Sequence, residues 1–524
     1  MGFWPYVNDD AFITLRYSRF LAAGRGPFFN PGESVEGYTN LLSMLLNAGA
    51  IAIFGPGAQP VAAKFISVSA GSAAILLAGL LAARLARNLV TAPVANVAGL
   101  LAAALVAVNP AFGVNATSGL ETTLFAALLI GLALAAQAEQ DAGRNRWAAP
   151  LAASLVICRP EGILFVALLG AGFLLPASRE SGCLPAGSRR RVVSWVMAGV
   201  AALVAQSLFR FLVYDGQFLP NTYFAKAGGF FHLDALSSIG SAAMVAFLGL
   251  VGVILVVAGW LALPDLFRAQ RPLLAAILVG WALPLITGTD WMIGWRMLMH
   301  VIPLTLVVVA VSGMGLVVRL AGRVVDRATW IFALILLGGV CAGGLGWGRD
   351  FRREIDIRAL GYDTGHRALA EWLRQTVPAG ETVAIMDIGI VGYLNPDLTV
   401  LDISGLTDRF IARQPGRFLD KQYDPAYVLD RRPAVIILVL SAPGISYEPP
   451  SAPPSWSWWT GIEDRLYRHP RFEAEYWTIP KGPPPTGWPD RIVARYGAEK
   501  IFEHAYPGYY YLLAAFRRQD VVGG

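Results

Sequence analysis

Charge is scarce in this sequence, and so are cysteine and histidine. Charged residues make up 15% of the 524 positions, against about 25% in a typical soluble protein. The three cysteines, Cys158, Cys183 and Cys341, lie far apart without a CxxC pair, which argues against a disulfide framework or a zinc site. The five histidines form no HExxH pattern, so a histidine-based metal site is not expected. A divalent cation (Mg²⁺, Mn²⁺ or Ca²⁺) held by carboxylates remains open.

Long apolar runs take the place of charge between residues 41 and 347. A membrane-spanning helix needs roughly 20 apolar residues. The runs that come close to this length are 61–83, 94–112, 119–137, 192–213, 239–262, 272–288, 298–318 and 328–346. Charges, prolines and tyrosines return from Gly348 onward. We therefore predict a polytopic α-helical membrane protein, divided into a first outer loop (1–40), a transmembrane domain (41–347) and a C-terminal soluble domain (348–524).

The surplus of positive charge, +6 in total, is concentrated in short turns between apolar runs. Arg84 and Arg87 form one example of such a turn. This distribution is typical of cytoplasmic turns under the positive-inside rule and does not indicate binding of nucleic acid. The intervening turns, 110–118, 214–238 and 289–297, are then extracytoplasmic, as is the C-terminal domain. The expected location is the plasma (inner) membrane.

The start of the chain complicates this topology. Residues 1–40 contain no apolar region of the kind found in a signal peptide. If residues 41–54 crossed the membrane, the arginines at 84 and 87 would fall outside, so we expect 41–54 to be a partial or surface-lying helix. An outward-facing N-terminus without a preceding apolar segment is hard to translocate. We therefore expect the natural chain to carry one more helix before Met1.

The segment 148–176 is long enough for one span, but one span would place the arginines at 189–191 outside. Cys158-Arg159-Pro160-Glu161-Gly162 lies near its middle, and proline and glycine interrupt helices. We predict two short helices that meet at this motif, near the outer face of the membrane.

The last third of the chain has an α/β pattern. Residues 363–376 have helical periodicity, and short strands are predicted at Thr382–Met386, Thr399–Ile403 and Ala434–Leu440. The stretch 448–490 is rich in proline and tryptophan and is predicted to be a loop.

Two adjacent carboxylates stand out in the first forty residues. Asn8-Asp9-Asp10 precedes an amphipathic stretch, 11–23, that is predicted to form a helix along the membrane surface. A carboxylate there can take a proton from an acceptor hydroxyl or hold a divalent cation. The structural alternative is that Asp9 or Asp10 caps the helix.

Further polar and aromatic residues are expected on the same outer face. They include Glu36, Tyr38 and Asn40 after a Gly/Pro turn, Glu121 at the mouth of an apolar helix, Arg159 and Glu161 at membrane depth, Asn221, Tyr223 and Lys226 on one outer loop, and Asp290, Trp291 and Arg296 on another. Taken singly, each is an ordinary turn residue, ion pair or interfacial anchor. Taken together, they suit a lipid-linked phosphate substrate with a polar head group, because arginine and lysine bind phosphate oxygens.

The run DDAFITLRYSRFLAAGRGPFFNPGESVEGYTN resembles the first extracytoplasmic loop of GT-C glycosyltransferases, in particular the bacterial terminal arabinofuranosyltransferases of the cell wall. The resemblance continues in order through NATSGLETTLF, CRPEG, LPNTYFAK, DWMIGWRMLMHVIPL and MDIGIVGYLN…VLDISGLTD. It departs at the start, because the family has a helix before its acidic motif.

This resemblance implies a GT-C fold with about ten membrane helices, and a sugar donor linked to polyprenyl phosphate rather than to a nucleotide. It places the essential carboxylate at Asp9 or Asp10, and makes Lys226, Arg296 and Arg159 candidates for the donor phosphate. The soluble domain is expected to help bind a cell-envelope glycan acceptor. The remaining candidate substrate-binding residues are Arg16, Tyr17, Glu36, Tyr38, Asn40, Glu121, Glu161, Asn221, Tyr223, Asp290 and Trp291.

The leading hypothesis is therefore transfer of a sugar, arabinofuranose by resemblance, from polyprenyl phosphate to an envelope glycan. Within the same class, the sugar can differ or the acceptor can be a lipid or a protein. A transporter would place its ionisable residues near the membrane midplane in two repeated halves, and no such repeat is visible. A non-catalytic envelope assembly protein is the third alternative.

Overall fold

Helices fill the first two-thirds of the chain in the computed structural model, which describes residues 3–87, 89–175, 187–226, 232–233, 235–247, 250–288, 292–321, 325–443, 457–477, 495–506 and 509–521. In chain order these helices are α1 (Asp9–Ala22), α2 (Leu41–Phe54), α3 (Val61–Arg87), α4 (Ala92–Ala107), α5 (Pro110–Thr117), α6 (Thr122–Ala142), α7 (Ala148–Cys158), α8 (Gly162–Phe173), α9 (Ser188–Val213), α10 (Asn221–Lys226), α11 (Ala235–Phe247), α12 (Leu250–Ala262), α13 (Pro264–Ala282), α14 (Pro284–Thr287), α15 (Ile302–Ala321) and α16 (Val325–Gly361).

The last third combines short helices with strands. Its helices are α17 (Ala368–Thr376), α18 (Ile388–Leu394), α19 (Arg409–Ala412), α20 (Ala426–Leu429), α21 (Gly461–Tyr467) and α22 (Pro470–Tyr476). Its strands are β1 (Thr382–Ile385), β2 (Thr399–Asp402), β3 (Gly416–Arg417), β4 (Asp420–Lys421), β5 (Val435–Pro443), β6 (Ser457–Trp458), β7 (Lys500–Tyr506) and β8 (Tyr509–Arg517).

Six helices of the described residues are long and apolar enough to cross a membrane, and a seventh span is added if the bent pair α4–α5 counts as one. Large apolar side chains on these helices are exposed, for example Leu76 (67%), Leu212 (72%) and Leu320 (76%). Water-exposed surfaces rarely carry so much apolar area, so these faces are suited to lipid and the chain is a multi-pass membrane protein. The count of about ten membrane helices stays a prediction, because α2, α7, α8, α11 and α12 are shorter.

The predicted break in segment 148–176 is confirmed. Helix α7 ends at Cys158 and α8 begins at Gly162, with Arg159 in an extended conformation between them. Pro160 supplies no backbone N–H to continue the helix. A side chain at Gly162 would collide with the backbone of Leu155, so the close return of the chain requires glycine here.

Helix α1 lies between the helical bundle and the C-terminal sheet, and its two apolar sides belong to different cores. Phe12 and Leu15 pack into the core formed by the membrane helices, whereas Ile13 and Tyr17 pack into the core formed with the sheet. The predicted helix is present as α1, and protein covers both of its apolar sides, while its placement along the membrane surface stays a prediction.

Within the described part of the C-terminal region, the sheet has six strands, of which five follow the order β2-β1-β5-β8-β7, while β6 pairs with β5. Strand β1 runs parallel to both β2 and β5, and β8 is antiparallel to β5 and β7. The three predicted strands are confirmed to within a few residues at their ends. The β5 segment 435–440 is fully buried, as its unbroken run of β-branched and leucine residues predicts.

The connection between α16 and the C-terminal sheet is itself helical. The helix continues from α16 through a π-helical turn, Tyr362–Arg367, into α17. The predicted helix at 363–376 is thus part of a longer one, and the predicted boundary at 347/348 lies inside α16. The division into three parts stays a prediction. A π-turn widens the helix locally and is frequent at functional sites.

The predicted loop at 448–490 is wrong for the part that the structure describes, residues 457–477. Helices α21 and α22 lie there, and α21 begins with a capping box in which Thr460 and Glu463 exchange hydrogen bonds. This pairing of a threonine with a glutamate three residues later is a sequence signal for a helix start. The prolines and tryptophans around it obscured that signal.

Arg16 joins the first loop to the C-terminal sheet. Its side chain is fully buried, and its guanidinium donates to the carbonyl oxygens of Phe29 (2.6 Å), Asn395 (3.0 Å) and Leu398 (2.8 Å), and to that of Gly392. These carbonyls occupy the donors that a substrate would otherwise use. Arg16 therefore connects two regions of the chain, the first loop and the C-terminal domain.

Replacing Arg16 with methionine should destabilise the protein by roughly 3 kcal/mol or more, because several buried carbonyls lose a charged donor. The midpoint of thermal unfolding in detergent, followed by tryptophan fluorescence, measures this loss. The matched control is Arg468→Met, since the Arg468 side chain is 75% exposed and its removal should leave the midpoint unchanged. Equal midpoints for Arg16→Met and the wild type would contradict the connector role.

Candidate active site

The two loop carboxylates begin helix α1, and neither caps it. Asn8 is the N-cap residue, and its side-chain oxygen accepts a hydrogen bond from the backbone N–H of Asp10 at 2.9 Å. The alternative that Asp9 or Asp10 is present only as the cap of its own helix is therefore wrong. Both carboxylates are available for contacts elsewhere.

Asp9 reaches across to the C-terminal domain. Its carboxylate accepts hydrogen bonds from the backbone N–H groups of Ile390 (2.7 Å) and Gly389 (3.2 Å), at the start of α18. A side chain at Gly389 would overlap Asp9, so the approach requires glycine. The motif DIGIVGY, within the segment MDIGIVGYLN of the resemblance, is thus the docking point for the first loop.

Burial governs the protonation of Asp9, whose residue is 7% exposed. The pKa of the Asp9 carboxyl is raised to about 7, chiefly by the loss of solvent, and the nearby carboxylates of Asp387 and Asp10 contribute to this rise. The charge of His366 and the N–H of Ile390 act in the opposite direction. A carboxyl with such a pKa is near-balanced between its two forms at neutral pH.

His366, Asp387 and Tyr511 complete this neighbourhood, and sequence reasoning missed all three. His366 lies in the π-turn and its Nε2 is 3.0 Å from Oδ2 of Asp387. The hydroxyl of Tyr511, on β8, donates to the same oxygen. Asp387 belongs to the quoted segment MDIGIVGYLN, whereas His366 and Tyr511 belong to no motif. The three residues are far apart in sequence, so only the fold brings them to Asp9.

A second group, called here the arginine–glutamate cluster, consists of Asn40, Glu121, Arg159 and Glu161. Arg159 Nη1 lies 2.7 Å from Glu121 Oε1, and Arg159 Nε lies 2.5 Å from Glu161 Oε1. Asn40 donates to the other oxygen of Glu121 at 2.7 Å. Because Arg159 and Glu121 are 9% and 2% exposed at their side chains, this is a buried ion pair at the break between α7 and α8.

Arg296 and His300 lie close enough to this cluster to influence it electrostatically. Burial opposes ionisation of Glu121, yet the charges of Arg159 and Arg296 lower the pKa of Glu121 to about 2. The imidazole of His300 is completely buried, 4.4 Å from the ring of Phe125. Neither of its ring nitrogens has a hydrogen-bond partner among the described residues. The sequence offered no pattern that singled out His300.

Helix α1 links the two groups through its periodicity. Asp10 and Thr14 are four residues apart and therefore share a face, and the Thr14 hydroxyl donates to the side-chain oxygen of Asn40 at 3.1 Å. Asp10 thus lies on the face that turns toward the arginine–glutamate cluster. Asp9, with Arg16 seven residues later, lies on the face that turns toward the C-terminal domain.

Three other predicted residues form a third group around helix α9. Glu36 pairs with Arg210 at 2.6 Å with both side chains 2% exposed, and burial raises the pKa of Glu36 to about 7 although Arg210 opposes this. The hydroxyls of Tyr38 and Tyr214 are 3.0 Å apart. The Tyr17 hydroxyl donates to the carbonyl of residue 35 and accepts from the N–H of residue 37. These contacts shape the first loop.

The loop after α9 contributes to the interface with the C-terminal domain. Asn221 donates to the carbonyls of Gly405, Leu406 and Asp408 at 2.9–3.1 Å. Tyr223 is 58% exposed, and Lys226 lies 5.3 Å from the ring centroid of Phe418. Lys226 therefore contacts the C-terminal domain, whereas Arg296 belongs with the arginine–glutamate cluster.

Asp290 and Trp291 lie outside the described residues. Among those that are described, no group of three or more histidine, cysteine or acidic side chains is arranged to hold a metal ion. A divalent cation stays a prediction.

Comparison with known proteins shows the fold. Residues 353–481 match the family described as a domain of unknown function, DUF8728. The structure is similar to ArnT from Cupriavidus metallidurans solved with undecaprenyl phosphate bound, with 13% identity, a TM-score of 0.51, and coverage of 99% of this chain and 95% of ArnT. It is also similar to the oligosaccharyltransferase AglB from Archaeoglobus fulgidus, solved with an inhibitory peptide and a dolichol-phosphate, with 12% identity, a TM-score of 0.50, and coverage of 98% and 84%.

No curated protein matches the sequence. At these levels of identity, the likeness to ArnT and AglB shows a shared fold over nearly the whole chain. The predicted polytopic helical architecture agrees with this fold, while the count of about ten membrane helices stays a prediction.

Replacing Glu121 with glutamine should cost roughly 3–5 kcal/mol of stability, because it leaves Arg159 buried with half of its compensating charge. The double variant Glu121→Gln/Arg159→Gln should cost less than the sum of the two single changes by roughly 1–3 kcal/mol. A double-mutant cycle of unfolding midpoints in denaturant tests this coupling. The exposed pair Arg84–Asp141 is the control, with coupling below about 1 kcal/mol. Strict additivity at Glu121 and Arg159 would contradict the buried pair.

Proposed function

We propose that the protein is a membrane glycosyltransferase that moves a sugar from a polyprenyl-phosphate donor to an envelope acceptor. The observation that carries the proposal is the face of α1 on which Asp10 and Thr14 stand, because Thr14 and Asn40 connect it to the Glu121–Arg159 pair. These two hydrogen bonds and the ion pair connect the face that carries Asp10 to the buried cation of Arg159. Such a pairing serves a reaction in which an anionic phosphate leaves and a hydroxyl attacks.

The likeness to two membrane proteins solved with polyprenyl-type phosphates supports this substrate class. ArnT was solved with undecaprenyl phosphate and AglB with a dolichol-phosphate. In both comparisons the aligned region covers nearly all of this chain and most of the other protein. The proposal extends their ligand chemistry, a lipid-linked phosphate, to this chain.

Arg159 and Arg296 are the proposed ligands of the donor phosphate. Glu161 Oε1 lies 2.5 Å from Arg159 Nε, and the Glu161 side chain is 23% exposed. We propose that a phosphate oxygen binds in the place of this carboxylate, which can turn toward solvent. Buried cations interact with phosphate more strongly than exposed ones, since the local dielectric is low. His300, whose ring nitrogens have no partner among the described residues, supplies a further donor on the same side.

Asp10 is the proposed general base. It is partly exposed and shares the face of Thr14, whereas the carboxylate of Asp9 is buried on α18. A base must come within hydrogen-bond reach of the hydroxyl that it deprotonates, which favours the more accessible carboxylate. Asp9 then holds α1, and with it Asp10, in place.

The proposed sugar is arabinofuranose, on the resemblance of the first loop and of the later motifs to arabinofuranosyltransferases. The proposed acceptor is a cell-envelope glycan, bound with help from the C-terminal domain on the extracytoplasmic side of the inner membrane. The same site chemistry would serve another polyprenyl-phosphate sugar, because the shape of the pocket rather than the base or the cations selects the head group.

Transfer should depend on Asp10 far more than on an unrelated carboxylate. In nanodiscs supplied with polyprenyl-phosphoryl arabinose and a short arabinan, Asp10→Asn should lower kcat by roughly 10²- to 10⁴-fold, the usual contribution of a general base. Arg159→Gln should weaken use of the donor. Asp265→Asn is the matched control, since Asp265 lies on the membrane helix α13 with its side chain 69% exposed.

Three outcomes separate the parts of this proposal. Full activity of Asp10→Asn would remove it as the base. Transfer of a different sugar by the wild type, tested with a panel of polyprenyl-phosphate donors, would overturn the arabinose assignment and keep the reaction class. Absence of transfer from every donor would overturn the function itself.

A further inference from the structure

We propose that His366 and Asp387 of the C-terminal domain are positioning residues that set the ionisation and placement of the Asp9–Asp10 pair. The inference rests on the proposed transferase function, because it assigns these two residues a part in that reaction. It also makes a claim about the Asp9 carboxyl that can be measured without any substrate.

The geometry starts from the N-terminus of α18. Asp387 holds the N-cap position of this helix, yet its side chain makes no cap hydrogen bond. The carboxylate of Asp9, from the other end of the chain, takes the N–H groups of Gly389 and Ile390 instead. Asp387 is thereby left to interact with His366 at 3.0 Å.

His366 is held in one orientation. The residue is 1% exposed, its Nε2 contacts Asp387, and its ring packs edge-on against Tyr362 at 5.3 Å. Tyr511 donates its hydroxyl to the same oxygen of Asp387 and so fixes that carboxylate. The π-turn widens the helix at this point, which is an uncommon geometry that recurs at functional sites.

The electrostatic effect on Asp9 has several contributors of both signs. Burial and the carboxylates of Asp387 and Asp10 favour the neutral form of Asp9, while His366 and the N–H of Ile390 favour the ionised form. Arg367, on the same π-turn, lies over the ring of Phe12. Among the described residues, the charged and titratable groups around this site are Asp10 on α1, Tyr362, His366 and Arg367 on the π-turn, Asp387 before α18 and Tyr511 on β8, with Lys64 on α3 and Glu463 on α21 at its edge.

Because His366 and Asp387 carry opposite charges, their removal should shift the pH at which the loop carboxylates ionise in opposite directions. Without His366, ionised Asp9 loses a stabilising charge, so the loop carboxylates should ionise at a higher pH. Without the charge of Asp387, they should ionise at a lower pH. Two residues that served only to pack the C-terminal domain would lower the rate without shifting the pH dependence in opposite directions.

The first test is the pH dependence of kcat/KM for His366→Gln, Asp387→Asn and the wild type in nanodiscs. The midpoint of the acidic limb, which belongs to the coupled Asp9–Asp10 pair, should move up by roughly half a pH unit or more in His366→Gln. It should move down in Asp387→Asn. His469→Gln is the matched control, because His469 caps α22 and should leave the limb unchanged.

The second test needs no activity. A carboxyl whose folded pKa is raised from 3.8 to about 7 binds more protons in the native state, so its contribution to stability falls as pH rises through about 7. The thermal midpoint of the wild type, compared with Asp9→Asn, should show this fall. In His366→Gln the fall that depends on Asp9 should extend to higher pH. Burial lowers the pKa of His366, but its hydrogen bond to Asp387 raises the pKa above the usual value, so His366 also contributes a pH dependence of its own. The effect on Asp9 is therefore the difference between His366→Gln in the wild type and His366→Gln in the Asp9→Asn background, and this difference should not be zero.

These results separate the two proposals. A wild type without transfer overturns the proposed function, while the stability comparison still decides whether His366 acts on Asp9. An active wild type whose acidic limb and stability profile stay unchanged in both variants, or shift in the same direction, overturns the positioning role.

Discussion

The carboxylate of Asp9, seated on the first N–H groups of α18, is the contact on which the arrangement of the candidate site depends. Burying a carboxylate costs several kcal/mol unless hydrogen bonds and compensating charge replace its hydration. The backbone amides at a helix start supply part of both, because they point outward and carry partial positive charge, and the raised pKa of Asp9 reflects the part that they do not replace. This contact, together with the guanidinium of Arg16 on four backbone carbonyls, holds the first loop against the sheet.

Because one face of α1 is fixed to the C-terminal domain, the position of its other face relative to the membrane helices is fixed as well. Its face with Asp9 and Arg16 is attached to the C-terminal domain, and its face with Asp10 and Thr14 adjoins Asn40 and the buried Glu121–Arg159 pair. Under the proposed function, an acceptor bound by the C-terminal domain and a donor bound by the membrane helices would meet along one rigid helix. A single short element thus sets the distance between base and phosphate.

Some of this organisation can be predicted from the sequence and some cannot. Pro160 and Gly162 predict the break between α7 and α8, because the backbone constraints of proline and glycine act locally. The strands β1, β2 and β5 follow from short β-branched runs. The capping box at Thr460 and Glu463 is a local sequence signal, but the surrounding prolines and tryptophans favoured the prediction of a loop. The conformation of the π-turn at Tyr362–Arg367 was not, since the helical periodicity of 363–376 continues through it.

The sequence by itself determined the membrane character, the α/β character of the last third and the position of two adjacent carboxylates, because these depend on composition and short-range periodicity. Only the tertiary structure decided which way each carboxylate turns and what it meets. Asp9 contacts residues 380 and 381 positions away, and His366 reaches it from a turn with no motif of its own. Burial and partners across such separations arise from packing, which local patterns do not encode.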